Sequence, residues 1–136
     1  MNLALNKLDD RALVVEAALG REEGTARFFI ARTSDAHSLI YDRSRHEGGQ
    51  MVEVAVKIMD GLVEELGLER VDFVKVDVKG AELDVLAGAK RTIKEFRPVL
   101  VVETHTGKMP GVLEELVRII KPHGYRLYPL QFHSFA

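Results

Sequence analysis

Cysteine is missing from all 136 positions. No disulfide framework, thiolate zinc site, iron–sulfur cluster or cysteine nucleophile can therefore be built. The absence fits a reducing, cytoplasmic setting. An excess of one charge sign is missing too. Basic residues number 19 and acidic residues 21, interspersed, for a formal net charge of −2, so no basic face is on offer to nucleic acid. No apolar run approaches the roughly 20 residues that a membrane helix needs. The opening MNLALNKLDD lacks the basic start and apolar centre of a signal peptide. There is no internal repeat, no low-complexity tract and no Pro/Ser-rich linker. What is present, 46% apolar and 29% charged residues, describes one globular domain over residues 1–136, able to bury a core of its own.

Periodicity supplies the elements. Leu3, Leu5 and Leu8 suggest a short opening helix, and the apolar run Ala12 to Leu19 a buried strand. Arg21–Gly24 reads as a turn, Ala26–Ala31 as a second strand, and Arg32–Gln50 as a long loop. Val52, Val54, Val56 and Ile58 alternate with polar or small residues, which is period 2 and predicts a half-buried strand. Asp60 stands where it can cap the next helix, which ends before Gly67. Val71–Val78 predicts a strand and Glu82–Phe96 a helix with Leu83, Leu86, Ala89, Ile93 and Phe96 on one face. Pro98–Glu103 is a continuous apolar strand. A helix from Pro110 to Pro122 and a last strand, Tyr125–Leu130, complete the chain. Such strand–helix alternation implies an α/β fold, with a mainly parallel sheet covered by helices on both faces.

In open α/β sheets ligands sit beyond the carboxyl ends of the strands. Asp77, Gly80 and Glu82 follow one such strand, and Glu103 and His105 the next. Asp77 and Glu82 could serve only to cap and charge a helix start. Glu103 and His105 could form a hydrogen-bonded pair or a general base for a hydroxyl substrate. Their short spacing makes a metal site the weaker reading, and no metal is expected. Lys75 points to the face opposite Val74 and Val76, within reach of Asp77. Arg43–His46 reads as a solvated basic loop, and Phe132 and Phe135 as an apolar tail.

The stretch VDFVKVDVKGAELDVLAGA, followed by RPVLVVETH, resembles the signature of FkbM-type methyltransferases. Asp72, Lys75, Asp77, Gly80, Ala81, Glu82, Val85, Leu86, Gly88, Ala89, Pro98 and Glu103 fall on its pattern. So do Ala17 to Gly24 and the Ser38–Leu39 pair. The resemblance implies a Rossmann-like class I fold and S-adenosylmethionine-dependent transfer, mostly to oxygen of a small molecule or sugar. It implies cofactor contacts at Ala17, Ala18, Asp77, Gly80 and Glu82, and catalytic roles for Asp77, Glu103 and His105.

Two departures from the pattern stand out. Lys79 occupies a position where the family usually has Glu, which changes the field beside Asp77. The family's Gly-rich strand–turn, which cradles the cofactor's methionine end, has no counterpart here, so the domain reads as N-terminally truncated. A sheet lacking its first strands leaves an apolar edge at Val71–Val78. Either Ala12–Leu19 pairs with that edge, or a second copy or another polypeptide covers it. Two functional readings follow: a methyltransferase, or a non-catalytic remnant of the fold that acts as an interaction module.

Overall fold

The computed structural model describes residues 2–8, 10–30, 50–104 and 111–130. In chain order the elements are α1 (Asn2–Leu5), β1 (Ala18–Leu19), β2 (Gly24–Ile30), β3 (Gln50–Lys57) and α2 (Met59–Glu65). They continue with β4 (Phe73–Val76), α3 (Glu82–Ala87), α4 (Lys90–Phe96), β5 (Val99–Val102) and α5 (Val112–Ile120), then a 3₁₀ turn at Lys121–His123. The architecture is mixed α/β with parallel strand pairs, as the alternation predicts.

Among the described residues the strands form two sheets rather than one. In the first, β3 lies between β1, parallel in the register Ala18↔Val56, and β2, antiparallel from Gly24↔Val56 to Ile30↔Gln50. In the second, β4 and β5 run parallel from Phe73↔Val99 to Val76↔Val102. Neither backbone edge of β4 is shared with β1. Of the two alternatives for that edge, pairing with Ala12–Leu19 is the one that the described residues exclude.

The Ala12–Leu19 strand itself shrinks to its last two residues. Residues 12–17 have no regular structure, Leu13 and Val14 are exposed, and the Ala17 amide turns back onto the Val15 carbonyl at 2.9 Å. A strand is stabilised by cross-strand partners more than by its own propensity, and no described strand flanks this run. The same reason removes the predicted final strand. Among the described residues Tyr125–Leu130 has no ladder partner; Tyr125 is anchored by its hydroxyl, which donates to the Pro98 carbonyl at 2.8 Å.

The core gathers Val74, Val76, Val85, Leu86, Ala89, Ile93, Leu116 and Ile120. Val74 and Val76 lie two apart and so share one face of β4. Val112, Leu116 and Ile120 recur every fourth residue along the buried stripe of α5. The opposite face of this sheet carries Phe73, 57% exposed, its register partner Val99, 62% exposed, and Lys75. Helices on both faces were expected; among the described residues they cover one. No helix among these residues is long and apolar enough to cross a membrane.

The helix expected over Glu82–Phe96 is broken in two at Gly88–Ala89. The break has a physical cause. The Gly88 carbonyl accepts the Asp60 amide at 3.0 Å, and the Asp60 side chain then caps α4. Its Oδ2 accepts from the Arg91 amide at 2.9 Å, and its Oδ1 from the Thr92 amide at 2.8 Å and the Thr92 hydroxyl at 2.7 Å. Asp60 was expected to cap its own helix. It lies inside α2, and the N-terminus it satisfies belongs to α4.

Candidate functional site

The site is built where β1, β4 and β5 end. β1 runs into Gly20, whose amide donates to the Lys57 carbonyl at 3.0 Å and extends the parallel ladder by one rung. Gly20 and Gly88 meet backbone to backbone. A Cβ on Gly88 would lie 2.1 Å from the Gly20 carbonyl oxygen, and a Cβ on Gly20 would lie 2.8 Å from Val56 Cγ1. Only glycine permits this approach. Arg21 reinforces it with an ion pair to Asp84 in the first turn of α3, at 2.6 Å. The end of β1 is thus fixed beside the helix that follows β4.

The β4 end turns sharply before α3. Lys79 and Gly80 both adopt positive φ, 53° and 113°. The Gly80 amide donates to Glu82 Oε1 at 3.0 Å. Glu82 has no exposed surface, and its Oε2 is buried as well. The side chain at the head of α3 therefore folds back to hold the turn, rather than capping the helix.

Asp77 stands between two ammonium groups. Lys79 Nζ lies 3.3 Å from its Oδ1, and Lys75 Nζ 3.3 Å from its Oδ2. Lys79 also reaches Glu103 Oε1 at 3.7 Å. Glu103 arrives there because its amide continues the β4–β5 ladder, donating to the Val76 carbonyl at 3.0 Å. Burial pushes the Asp77 carboxyl up, but the hydrogen bonds and charges of Lys79 and Lys75 outweigh it and hold the group below the usual carboxylate range. The hydrogen bond that Lys79 donates to Asp77 raises it above the ordinary lysine value, with the Glu103 charge adding to this against the cost of burial. The strand ends therefore present the Asp77 carboxylate to accept hydrogen bonds and the Lys79 ammonium to donate them.

The structure brings Asp77, Gly80, Glu82 and Glu103 together around one pair of strand ends. Ala17 and Ala18 lie in the other sheet, just before and at the start of β1. Ala17 lines an apolar pocket of about 250 Å³ with Leu13, Val15, Leu19, Leu62 and Lys57, while Ala18 is the neighbour paired with Val56. His105, Ser38, Leu39, Arg43–His46, Phe132 and Phe135 lie outside the described residues. Among the described residues no group of three or more His, Cys, Asp or Glu side chains could hold a metal ion. Sequence reasoning missed Gly20–Gly88 as a contact and Asp60 as its brace. The glycines were visible only as pattern matches, and the aspartate had a nearer helix to cap.

The sequence matches the family of the methyltransferase FkbM domain over residues 1–127. The chain belongs to the FkbM methyltransferase family. Relatives within reach include the AMB antimetabolite synthetase AmbE of Pseudomonas aeruginosa, 30% identical over 109 residues, which cover 78% of this chain and 5% of that protein. The 2-O-methyltransferase NoeI of Sinorhizobium fredii is 35% identical over 63 residues, 43% of this chain and 26% of that protein. The 31-O-demethyl-FK506 methyltransferase FkbM of Streptomyces tacrolimicus is 28% identical over 88 residues, 65% of this chain and 33% of that protein. The aligned part of this FkbM-family chain thus spans about a third or less of these relatives' lengths. No solved structure gives a significant match.

Proposed function

We propose that residues 1–136 form a partial Rossmann-like methyltransferase domain that takes part in S-adenosylmethionine-dependent transfer to a hydroxyl of a small molecule or sugar. The observation that carries the reading is the convergence of the strand ends on family positions. Asp77, Gly80, Glu82 and Glu103 meet in one place, and Gly20 is locked beside α3 by Gly88. The named relatives include two methyltransferases whose printed names specify oxygen.

The donor set suits such a cofactor in part. Ala17 opens onto an apolar pocket, and the anionic Asp77 and the Glu103 carboxylate are hydrogen-bond acceptors for hydroxyl or ammonium groups. When bound, S-adenosylmethionine supplies an electrophilic methyl group. In this proposal Ala17, Ala18 and Gly80 border it, Glu82 holds the Gly80 turn from behind, and Asp77 and Glu103 face the acceptor. Their work is chiefly positioning, because methyl transfer depends on in-line alignment more than on acid–base help. A carboxylate at the strand ends can still take the proton that the hydroxyl gives up.

A second reading, a non-catalytic module, is favoured by one observation: the β4–β5 face around Phe73 and Val99 is uncovered among the described residues. In both readings we propose that a second copy or another polypeptide completes the edge of β4, which among the described residues pairs with β5 alone.

Calorimetric titration of the chain with S-adenosylhomocysteine separates the readings, with the oligomeric mass and thermal midpoint recorded. Ligand at about 100 times its dissociation constant adds about 2.7 kcal/mol, which for this chain length raises the midpoint by roughly 10 °C. Saturable heat with that shift supports the enzyme reading. No heat and no shift at millimolar ligand removes the cofactor from this chain and leaves the interaction module.

A further inference from the structure

We infer that Lys79, seconded by Lys75, is a built-in counter-cation that takes the place of a divalent metal ion between the carboxylates at the ends of β4 and β5. The inference concerns these strand ends alone and holds whether or not the chain transfers methyl groups.

Three observations carry it. First, the lysines share out the carboxylate oxygens. Lys79 holds Asp77 Oδ1 at 3.3 Å and Glu103 Oε1 at 3.7 Å, and Lys75 holds Asp77 Oδ2 at 3.3 Å. Two ammonium charges against two carboxylates match the charge balance of one divalent ion. Second, Lys79 reaches this position through a left-handed backbone, φ 53°. That conformation is unfavourable for a side-chain-bearing residue and persists only where the surroundings enforce it. Third, the side chain of Lys79 is 30% exposed, against 61% for Lys75. The bridging ammonium is therefore the more enclosed of the two.

Carboxylates from adjacent strand ends, converging on one point, are the oxygen donors that hard divalent cations take. An ammonium tethered there fills the point and repels a metal ion. The arrangement also leaves mixed chemistry at the strand ends. A hydroxyl brought to them meets a donor in Lys79 and acceptors in Asp77 and Glu103, with no metal between. Lys79 acts as a positioning residue, through the carboxylates it orients.

The test is Lys79→Glu in the full chain, probed with Mn²⁺ alone. The substitution removes the tethered charge and adds a third carboxylate. In chelator the variant melts below the wild type. In millimolar Mn²⁺ it recovers, and it binds the ion at least about tenfold more tightly than the wild type does. The wild-type midpoint is the same with Mn²⁺ as with chelator. A second pair of variants needs no metal. Lys79→Met raises the Asp77 pKa measured by NMR, and Lys79→Arg restores it. The inference is overturned if the wild type binds Mn²⁺ as tightly as the variant does and loses it on Asp77→Asn. It is overturned equally if a folded Lys79→Glu chain gains no response to Mn²⁺. Should Lys79→Glu fail to fold even with Mn²⁺, an unmoved Asp77 in Lys79→Met overturns it and a raised one sustains it.

Discussion

Removing the Asp60 carboxylate should destabilise the protein out of proportion to its partly exposed position. The side chain satisfies the amides of Arg91 and Thr92 and the hydroxyl of Thr92. Loss of a capping carboxylate costs about 1 kcal/mol, with a range of roughly 0.5–2. Thr92 is only 1% exposed, so its hydroxyl would be left buried without its acceptor, at a further cost of about 1–3 kcal/mol. Asp60→Ala is therefore expected to cost about 2–4 kcal/mol, a fall of roughly 10 °C in thermal midpoint for a chain of this length. Thr92→Val removes the hydroxyl together with its need and should cost about 1 kcal/mol. In the double variant the orphaned hydroxyl no longer exists. Asp60→Ala/Thr92→Val should then be less destabilised than the two single effects added, by about 1 kcal/mol or more. Urea unfolding monitored by circular dichroism, with equal slopes for all four proteins, measures the cycle. Strict additivity, or an Asp60→Ala cost below about 0.5 kcal/mol, would refute the claim that Asp60 braces α4.

Gly88→Ala places a methyl group 2.1 Å from the Gly20 carbonyl oxygen, which both backbones must move to relieve. A loss of about 1–3 kcal/mol or more in urea unfolding is expected, where an exposed helix glycine would have gained stability. Acid should cost the native state what the lysines give Asp77. Its carboxyl is held below the ordinary value near 3.8, so that contribution is complete above about pH 4–5 and is lost as pH falls through the lower folded value. Alkali acts through groups shifted the other way. Burial raises the Tyr125 hydroxyl above its ordinary value of 10.0, against the opposing charge of Arg97, and Asp77 raises Lys79 above 10.5. Both contributions are intact below about pH 10 and fade as pH climbs through the raised values. Thermal midpoints from pH 2 to 12 should fall at both ends. Asp77→Asn should flatten the acid limb and Tyr125→Phe the alkaline one.

Those elements whose pattern is local were legible in the sequence. The period-2 run from Val52 to Val56 became β3 almost to the residue, and the helix read between Pro110 and Pro122 became α5, Val112–Ile120. Lys75 lies opposite Val74 and Val76 and reaches Asp77, as alternation requires. What failed to show was set by partners distant in the chain. The Glu82–Phe96 helix looks continuous until the Gly20 carbonyl and the Asp60 amide claim Gly88. Ala12–Val15 has the composition of a strand and no neighbour to make it one. At the site, the family pattern located Asp77, Gly80, Glu82 and Glu103, and the exchange at Lys79 was plain. That a left-handed backbone would carry Lys79 across to Glu103 could not be read from residue types.

The division of the strands into two sheets distributes stability unevenly. The buried apolar cluster is made by β4, α3, α4 and α5. The β1–β3–β2 sheet touches it through Leu19 and the neighbouring Met59, and is further fastened, among the described residues, by a glycine contact, an aspartate cap and the Arg21–Asp84 and Arg91–Glu64 ion pairs. Those fastenings are short-range and polar, so they let go over a fraction of an ångström rather than yielding gradually as an oily interface does. Opening at this junction would separate the half of the molecule bearing Ala17 and Ala18 from the half bearing Asp77 and Glu103. Whatever binds across both halves would then be stabilising their docking as much as occupying a site.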